Sequence, residues 1–478
     1  MRVIAFLGHL FVGVVLAVVA SAQANLGEVV VAPKWLAWER GEPVSVGDDK
    51  APKCTLYAFF TKPAHMPAFA GDADYLGDLQ KRFGDRGLVV VAVVPTANPT
   101  AIERWAGCRV VVDADLAVTT AWFADGEWPW YVTVLDAAGR MTFVGEPDAG
   151  LVDAVDATLA GRDGLVGERN CFALRHDLPE TFDDAIGADV VRSLGDAVAH
   201  APRDGLALGL LYLAHATKRN DAAAAAKVCE QAIGSLAADA RPLARFVDLA
   251  LRGDPRRAGL AAKLKPVMHA AAAAAPNDVA VQLAFLRTVV QAGDAREVGR
   301  QSMRLRKLVT ATAENCLDYA SILAQDENAP VHRDLATMAL TKAAALGAVP
   351  RLLTAARYGV AVRCANDREE QKKLLDEYLK DNELRVSINN DCWYLMTELP
   401  TMGRYDTFAA GLAERMLEQR DAMDYFEFDT AALAMFLAGR FAEAVALQET
   451  ALEKGGKENP EYVERLARYK AGQAPAPR

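Results

Sequence analysis

From about Ala188 to Tyr469 nearly every window of the chain carries the apolar spacing of an amphipathic helix, with short breaks at Pro202, Pro242, Pro255, Pro276, Pro330, Pro350, Pro400 and Pro460. An amphipathic helix buries only a stripe of its surface. A long run of short helices must therefore bury those stripes on one another, as an irregular bundle or as a stack of helix pairs. Alanine runs at Ala222–Ala226 and Ala270–Ala275 push the same way, because alanine gives up no side-chain entropy in a helix.

Near the C-terminus the run repeats itself. Gly403-Arg404-Tyr405 and Gly439-Arg440-Phe441 recur at a step of about 36 residues, within the range of known helical repeats. Each follows an expected helix (Cys392–Leu399; Asp429–Ala438) and precedes another (Asp406–Leu417; Ala442–Leu452). The glycine permits a tight turn, and the aromatic is expected to wedge between the paired helices. The second copy, TAALAMFLAGRFAEAVALQETALE, resembles a tetratricopeptide repeat. Ala432, Gly439, Phe441, Ala444 and Ala451 stand where that family places small and aromatic packing residues. Gln448 stands where an aromatic is usual, and the first copy has Phe408 at a small-residue position. Weaker echoes occur at Arg219–Ile233 and Gln291–Met303. The expected repeat-packing residues are Gly403, Tyr405, Gly439, Phe441, Ala444 and Ala451.

The first third reads differently. Cys54–Phe60, Leu88–Val94, Arg109–Val112, Trp130–Leu135 and Met141–Val144 have strand character, the last two joined by the Asp136–Gly139 turn. Asp74–Phe83, Ala101–Ala106, Leu116–Phe123 and Asp148–Leu159 have helical character. An uninterrupted apolar run such as LVVVAVV is what a strand buried on both faces needs. This alternation describes a small α/β domain with a mixed sheet. The glycine-rich, charged GRDGLVGERN (Gly161–Asn170) reads as a linker.

This half resembles the thioredoxin-like superfamily, in its exported thiol–disulfide reductase and alkyl-hydroperoxide-reductase-like branch. The resemblance rests on WLAWERGEPVSV (Trp35–Val46), TLYAFF (Thr55–Phe60), Tyr75–Pro95 and Val110–Glu146, in the family's order. It implies a cis-proline at Pro129, flanked by Trp128 and Trp130, in a loop that offers backbone groups to a peptide. It also implies a C-x-x-C at a helix N-terminus, where the dipole and backbone amides lower a thiol pKa. Counted from Phe59-Phe60, the positions equivalent to those cysteines are Ala64 and Pro67; counted back from Tyr75, they are Met66 and Phe69; neither pair holds a thiol, so the dithiol mechanism does not carry over. His65 and Met66 occupy the same corner; no other ligand motif joins them, and no metal or cofactor is expected.

Seven cysteines, Cys54, Cys108, Cys171, Cys229, Cys316, Cys364 and Cys392, include no C-x-x-C. Cys54 and Cys108 are the only thiols of the α/β half, and a bridge between them needs Cα atoms within about 7 Å. The chain starts with Arg2, an apolar run from Ile4 to Ala20 and the small-x-small Ala22-Gln23-Ala24. That pattern reads as a cleaved signal peptide with a periplasmic or secreted product, the alternative being an uncleaved membrane anchor. A net charge of −10 argues against nucleic acid as partner. No G-x-G-x-x-G, P-loop or G-x-S-x-G motif occurs, leaving nucleotide use and serine nucleophiles without support.

The expected organisation is a signal peptide (1–24), a thioredoxin-like domain (25–162), a linker (163–187) and a tetratricopeptide-like helical repeat domain (188–478). The expected function is binding of protein or peptide partners by a redox-inactive chain. The alternative is a thiol–disulfide oxidoreductase using displaced thiols, Cys54 or Cys108.

Overall fold

The computed structural model describes residues 37–46, 49–60, 70–95, 107–113, 130–147, 149–162, 188–218, 221–252, 258–380, 385–398 and 401–473. The chain separates into two compact units: residues up to 173 with 196–204, and residues 174–195 with 205–478.

The first unit is built on a six-stranded mixed sheet: β1 (Ala37–Arg40), β2 (Cys54–Phe60), β3 (Leu88–Val94), β4 (Arg109–Val112), β5 (Trp130–Asp136) and β6 (Met141–Gly145). Its order is β1-β4-β3-β2-β5-β6. β2, β3 and β4 run parallel, while β5, β6 and β1 join antiparallel. The five strands legible in the sequence are present. β1 was not expected as a strand, because AWER is too short and too polar to show a period of two. It is made by its partner instead, Ala37 pairing with Val112. The expected helices at Ala101–Ala106 and Leu116–Phe123 lie outside the described residues.

Every residue of β2 is buried. One face of the sheet sets Leu56, Ala58 and Phe60 with Val90, Val94, Val132 and Val134. Onto it pack α1 (Ala70–Phe83) through Leu76, Leu79 and Phe83, and α2 (Leu151–Leu159) through Leu151, Val152 and Val155. The other face sets Tyr57, Phe59, Val91 and Val93 against Trp38, Val44 and Val46. The continuous apolar runs are thus explained: both faces leave water, at roughly 25 cal/mol per Å² of apolar surface.

β4 pairs with β3 only from Val91 onward. Ahead of that point Gln80 of α1 takes the place of a strand: its Nε2 donates to Leu88 O at 2.9 Å, and its Oε1 accepts from Val90 N at 2.7 Å. Gln80→Leu leaves both backbone groups without their partner and is expected to cost about 1–3 kcal/mol, read as a lower urea midpoint with an unchanged denaturant slope.

The segment Asp196–Asp204 groups with the sheet. Arg203 ties it to α2: its backbone N–H and Nε donate to Asp153 at 2.7 and 2.6 Å, and its Nη2 to Asp156 at 2.5 Å. Arg86 Nη1 holds the other oxygen of Asp156 at 2.6 Å. Burial opposes the Asp156 charge, but the two guanidiniums outweigh it and hold its pKa below the usual range.

The second unit is a long run of helices. After α3 (Ala188–His200) come α4 (Gly205–Leu213), α5 (Ala222–Leu236), α6 (Ala240–Arg252), α7 (Ala258–Ala274), α8 (Val279–Gln291), α9 (Ala295–Leu308) and α10 (Ala313–Ala324). Then follow α11 (Arg333–Ala345), α12 (Pro350–Val360), α13 (Arg368–Leu379), α14 (Arg385–Thr397), α15 (Asp406–Leu417), α16 (Tyr425–Leu437), α17 (Phe441–Lys454) and α18 (Pro460–Gln473). Asp221, Asp278, Asp294, Thr312 and Asp367 each cap a helix by accepting a backbone N–H three residues on. Pro350 and Pro460 open helices, where a missing N–H costs nothing.

Helices pack on their neighbours in sequence. α4 meets α5 and α6; α6 meets α7 and α8; α8 meets α9 and α10; α10 meets α11 and α12. There the order changes: α12 meets α13 and then α15, while α14 meets α15 and α16. Small residues permit close crossings. A Cβ on Gly205 would stand 1.9 Å from Pro242 O, and one on Gly209 2.8 Å from Leu249 Cδ1.

Candidate functional site

Two places could carry function: the end of β2, where the sequence locates the corner without cysteines, and the packing change in the helical unit. At the first, Phe60 closes β2 and pairs with Trp130, which opens β5. Phe60 and Trp130 therefore mark the same end of two adjacent inner strands. Ala64, His65, Met66 and Pro67 follow the one; Trp128 and Pro129 precede the other. All six lie outside the described residues, as does the side chain of Trp130.

The thiols of this unit lie elsewhere. Cys54 opens β2, opposite Leu88 and Asp136. At the rise of a β-strand it is about 20 Å from the Phe60 end. Burial, with the Asp136 carboxylate adding to it, pushes its pKa far up. Burial also pushes Cys108 up to about 12 against the pull of Arg40. Both are free and buried. β3 separates the strands they adjoin, leaving their Cα atoms about 10 Å or more apart, beyond disulfide reach. In the helical unit Cys316 and Cys364 are raised to about 11 by burial. Cys316 Sγ donates to Val309 O and Cys392 Sγ to Ala409 O. Burial raises Cys229 too, so all six described thiols are buried packing groups; Cys171 lies outside the described residues.

The repeat-packing residues separate into two sets. Gly439, with φ of 79°, turns the chain between α16 and α17. Phe441 sets its ring edge-on to Phe436 at 5.3 Å, and Ala444 and Ala451 are fully buried. The polar Gln448 at an aromatic position has a clear reason. It is buried, and its Nε2 donates to Asp429 Oδ1 at 2.8 Å and to Tyr462 O at 3.3 Å. Asp429 in turn pairs with Arg465 of α18. Gln448 thus exchanges a ring contact for a polar tie across three helices. Phe408, large where the family has a small residue, fits edge-on against Tyr358 at 5.3 Å and Tyr378 at 5.0 Å. The small residue is displaced to Gly411, where a Cβ would lie 2.5 Å from the Tyr358 hydroxyl.

Gly403 and Tyr405 belong to something else. Gly403 has φ of 68° and lies against α6: a Cβ there would stand 2.6 Å from Arg252 O and 2.7 Å from Arg252 Cβ. Arg252 is part of a buried ionic network. It pairs with Asp248 one turn earlier. Asp248 Oδ1 also accepts from Arg287 Nε at 3.0 Å, and Arg287 Nη2 donates to Asp318 Oδ1 at 2.6 Å. Arg404 Nε lies 3.1 Å from Asp318 Oδ1, and Arg245 adds its field at Asp248. Four elements therefore meet at this network: α6, α8, α10 and the turn before α15. Arg287 is 1% exposed.

The electrostatics follow from that crowding. Burial raises the Asp248 pKa, but Arg252, Arg287 and Arg404 outweigh it and hold the carboxyl far below its usual range. Burial and the neighbouring Arg404 push Arg252 down to about 9, so it stays charged at neutral pH. Burial opposes the charge of Arg404 as well, yet Asp318 and Asp248 draw its pKa up.

Beside the network a cleft of about 190 Å³ opens where the packing order changes. Gln291, Ser321, Gln325 and Arg363 line one side, and Arg404, Tyr405, Asp406 and Thr407 the other. Gln291 Nε2 donates to Gln325 Oε1 at 3.1 Å, and Gln325 Nε2 to Gly403 O at 2.9 Å, so the glycine turn is held from the cleft side too. Sequence reading missed this site. The signal was there: Asp248, Arg287 and Asp318 each stand within an apolar helical run, where a charge needs a partner. What one sequence withholds is which charges meet. No protein-family model matches the chain, and no curated protein matches it.

Proposed function

We propose that this protein is an exported binding protein. In this reading its first unit is a thioredoxin-like scaffold without a catalytic thiol pair, and its second unit is a tetratricopeptide-like array that holds protein or peptide partners. The observation that carries the reading is the recurrence of helix pairs. Their first helices begin at Gly205, Ala240, Val279, Ala313, Pro350, Arg385 and Tyr425, a step of roughly 35–40 residues that is typical of helical solenoids. Such arrays present long surfaces suited to extended partners. The six described thiols weigh against the redox alternative. Each is buried, and a nucleophilic cysteine needs a low pKa and access to its substrate.

A peptide-display selection on the full chain tests this. Enriched peptides that bind in solution, at 1:1 stoichiometry, support it. Reduction of a disulfide substrate by the wild-type protein with an added thiol reductant, lost on Cys54→Ser or Cys108→Ser, would overturn it in favour of a displaced-thiol oxidoreductase.

A further inference from the structure

We propose that the outward face of α9 docks an acidic segment of a partner protein. The inference rests on the reading of the helical unit as a holder of polypeptides. It adds where on that unit the partner sits and what chemistry it carries.

α8 and α10 leave little surface to a partner, being buried from Val281 to Val290 and from Cys316 to Ala324. α9, which separates them in the chain, buries only one stripe, made by Val298, Gln301, Ser302 and Leu305. On its other side Arg296, Arg300, Arg304 and Lys307 are exposed. Their steps of three and four set them in one row along the helix, about 17 Å long. Arg306 is exposed on the flank of that row.

Glu297 is the one acid among these basic residues of α9, and it is already paired with Arg300. Asp294, which caps the helix, is held by Lys265 at 2.9 Å. Arg304 reaches a backbone oxygen, Pro276 O at 3.3 Å. The side chains of Arg296, Arg306 and Lys307 have no hydrogen-bond or ion-pair partner among the described residues. Other exposed helix surfaces mix the two signs: Lys373 lies beside Glu370 on α13, Arg415 beside Glu418 at the end of α15, and Arg440 beside Glu443 at the head of α17. In a chain of net charge −10 a row of one sign is a local property of α9, and its complement is an acidic partner.

The row also has an apolar centre. Met303 stands in it and is 50% exposed, and Met338 of the neighbouring α11 is 42% exposed. Thioethers adapt to irregular partner surfaces. An acidic segment that also carries an apolar side chain fits this combination. A bilayer fits it less well: a helix lying on a membrane inserts its apolar face, and Val298 and Leu305 of α9 are fully buried in the unit.

The test titrates the display-selected peptides into the full chain and into its double variant Arg304→Gln/Lys307→Gln. Both positions are exposed, so the variant keeps the fold. Wild type is expected to enrich acidic peptides. The double variant should bind them about tenfold more weakly, and added salt should weaken wild-type binding as well. Lys373→Gln, on the mixed-sign α13, should bind as wild type does. The docking site is overturned if the enriched peptides are not acidic, if they bind the α9 variant as tightly as wild type, or if Lys373→Gln causes an equal loss; each of these leaves polypeptide binding elsewhere on the unit standing. No enrichment at all from wild type would remove both readings. Co-sedimentation of the chain with phosphatidylglycerol vesicles, lost in the α9 variant and without acidic peptides among those enriched, would overturn the proposal in favour of a membrane-facing surface.

Discussion

Gly403→Ala is expected to destabilise the helical unit by about 2–5 kcal/mol, and Gly439→Ala by only about 1–2 kcal/mol, although the two glycines occupy equivalent turns. Both have a positive φ, a backbone state that costs an L-residue about 1–2 kcal/mol. Only Gly403 is also crowded: a Cβ there would meet the backbone of Arg252 at 2.6–2.8 Å. Backbone cannot swing aside as a side-chain tip can, so α6 or the turn must shift, a typical overpacking cost of about 1–3 kcal/mol. A Cβ on Gly439 meets nothing within 4 Å. Urea unfolding of the two variants checks the difference. Equal losses would mean that the approach of the turn to α6 contributes nothing.

Asp248→Asn is expected to cost about 3–5 kcal/mol, because it leaves buried guanidiniums without their shared counter-charge. The change keeps the shape of the side chain, so the loss reports charge rather than packing. The exposed pair Lys373–Glu370 is the control; removing it should change stability by less than about 1 kcal/mol. The effect also has a pH signature. The folded pKa of Asp248 lies below its unfolded value. Its contribution is therefore complete above the ordinary carboxylate range and is lost as pH falls through that range toward the folded value. Wild-type stability should fall more steeply between about pH 5 and pH 3 than that of Asp248→Asn. Parallel pH profiles would show that Asp248 is not the group that responds.

The two units were legible to different depths. In the sheet, the five expected strands have bounds that agree with the structure to within a residue, because a strand buried on both faces has to be apolar throughout. β1 was missed because its four residues become a strand only by pairing with Val110–Val112. Of the expected peptide-binding loop Trp128, Pro129 and Trp130, only the backbone of Trp130 lies among the described residues, and it pairs with Phe60 at the end of β2. That adjacency follows from register, which a single sequence does not state. In the helical unit, the glycine turns at Gly403 and Gly439 and the buried Ala444 and Ala451 were readable from their spacing. The arginine that follows Gly403 was treated as part of a repeat motif, whereas Arg404 faces Asp318 and Arg440 pairs with Glu414 and Glu443 at the surface.

Sequence by itself determined five of the six described strands, and that the second part must stack helix on helix. Periodicity, caps and turn glycines are local properties, written within a few residues of where they act. Only the tertiary structure decided that Asp248, Arg252, Arg287, Asp318 and Arg404 share one buried network, and that β3 separates the strands that Cys54 and Cys108 adjoin. Those facts depend on which helices and strands become neighbours across tens of residues. Charge and burial at a contact are set by the partner, and the partner is chosen by packing.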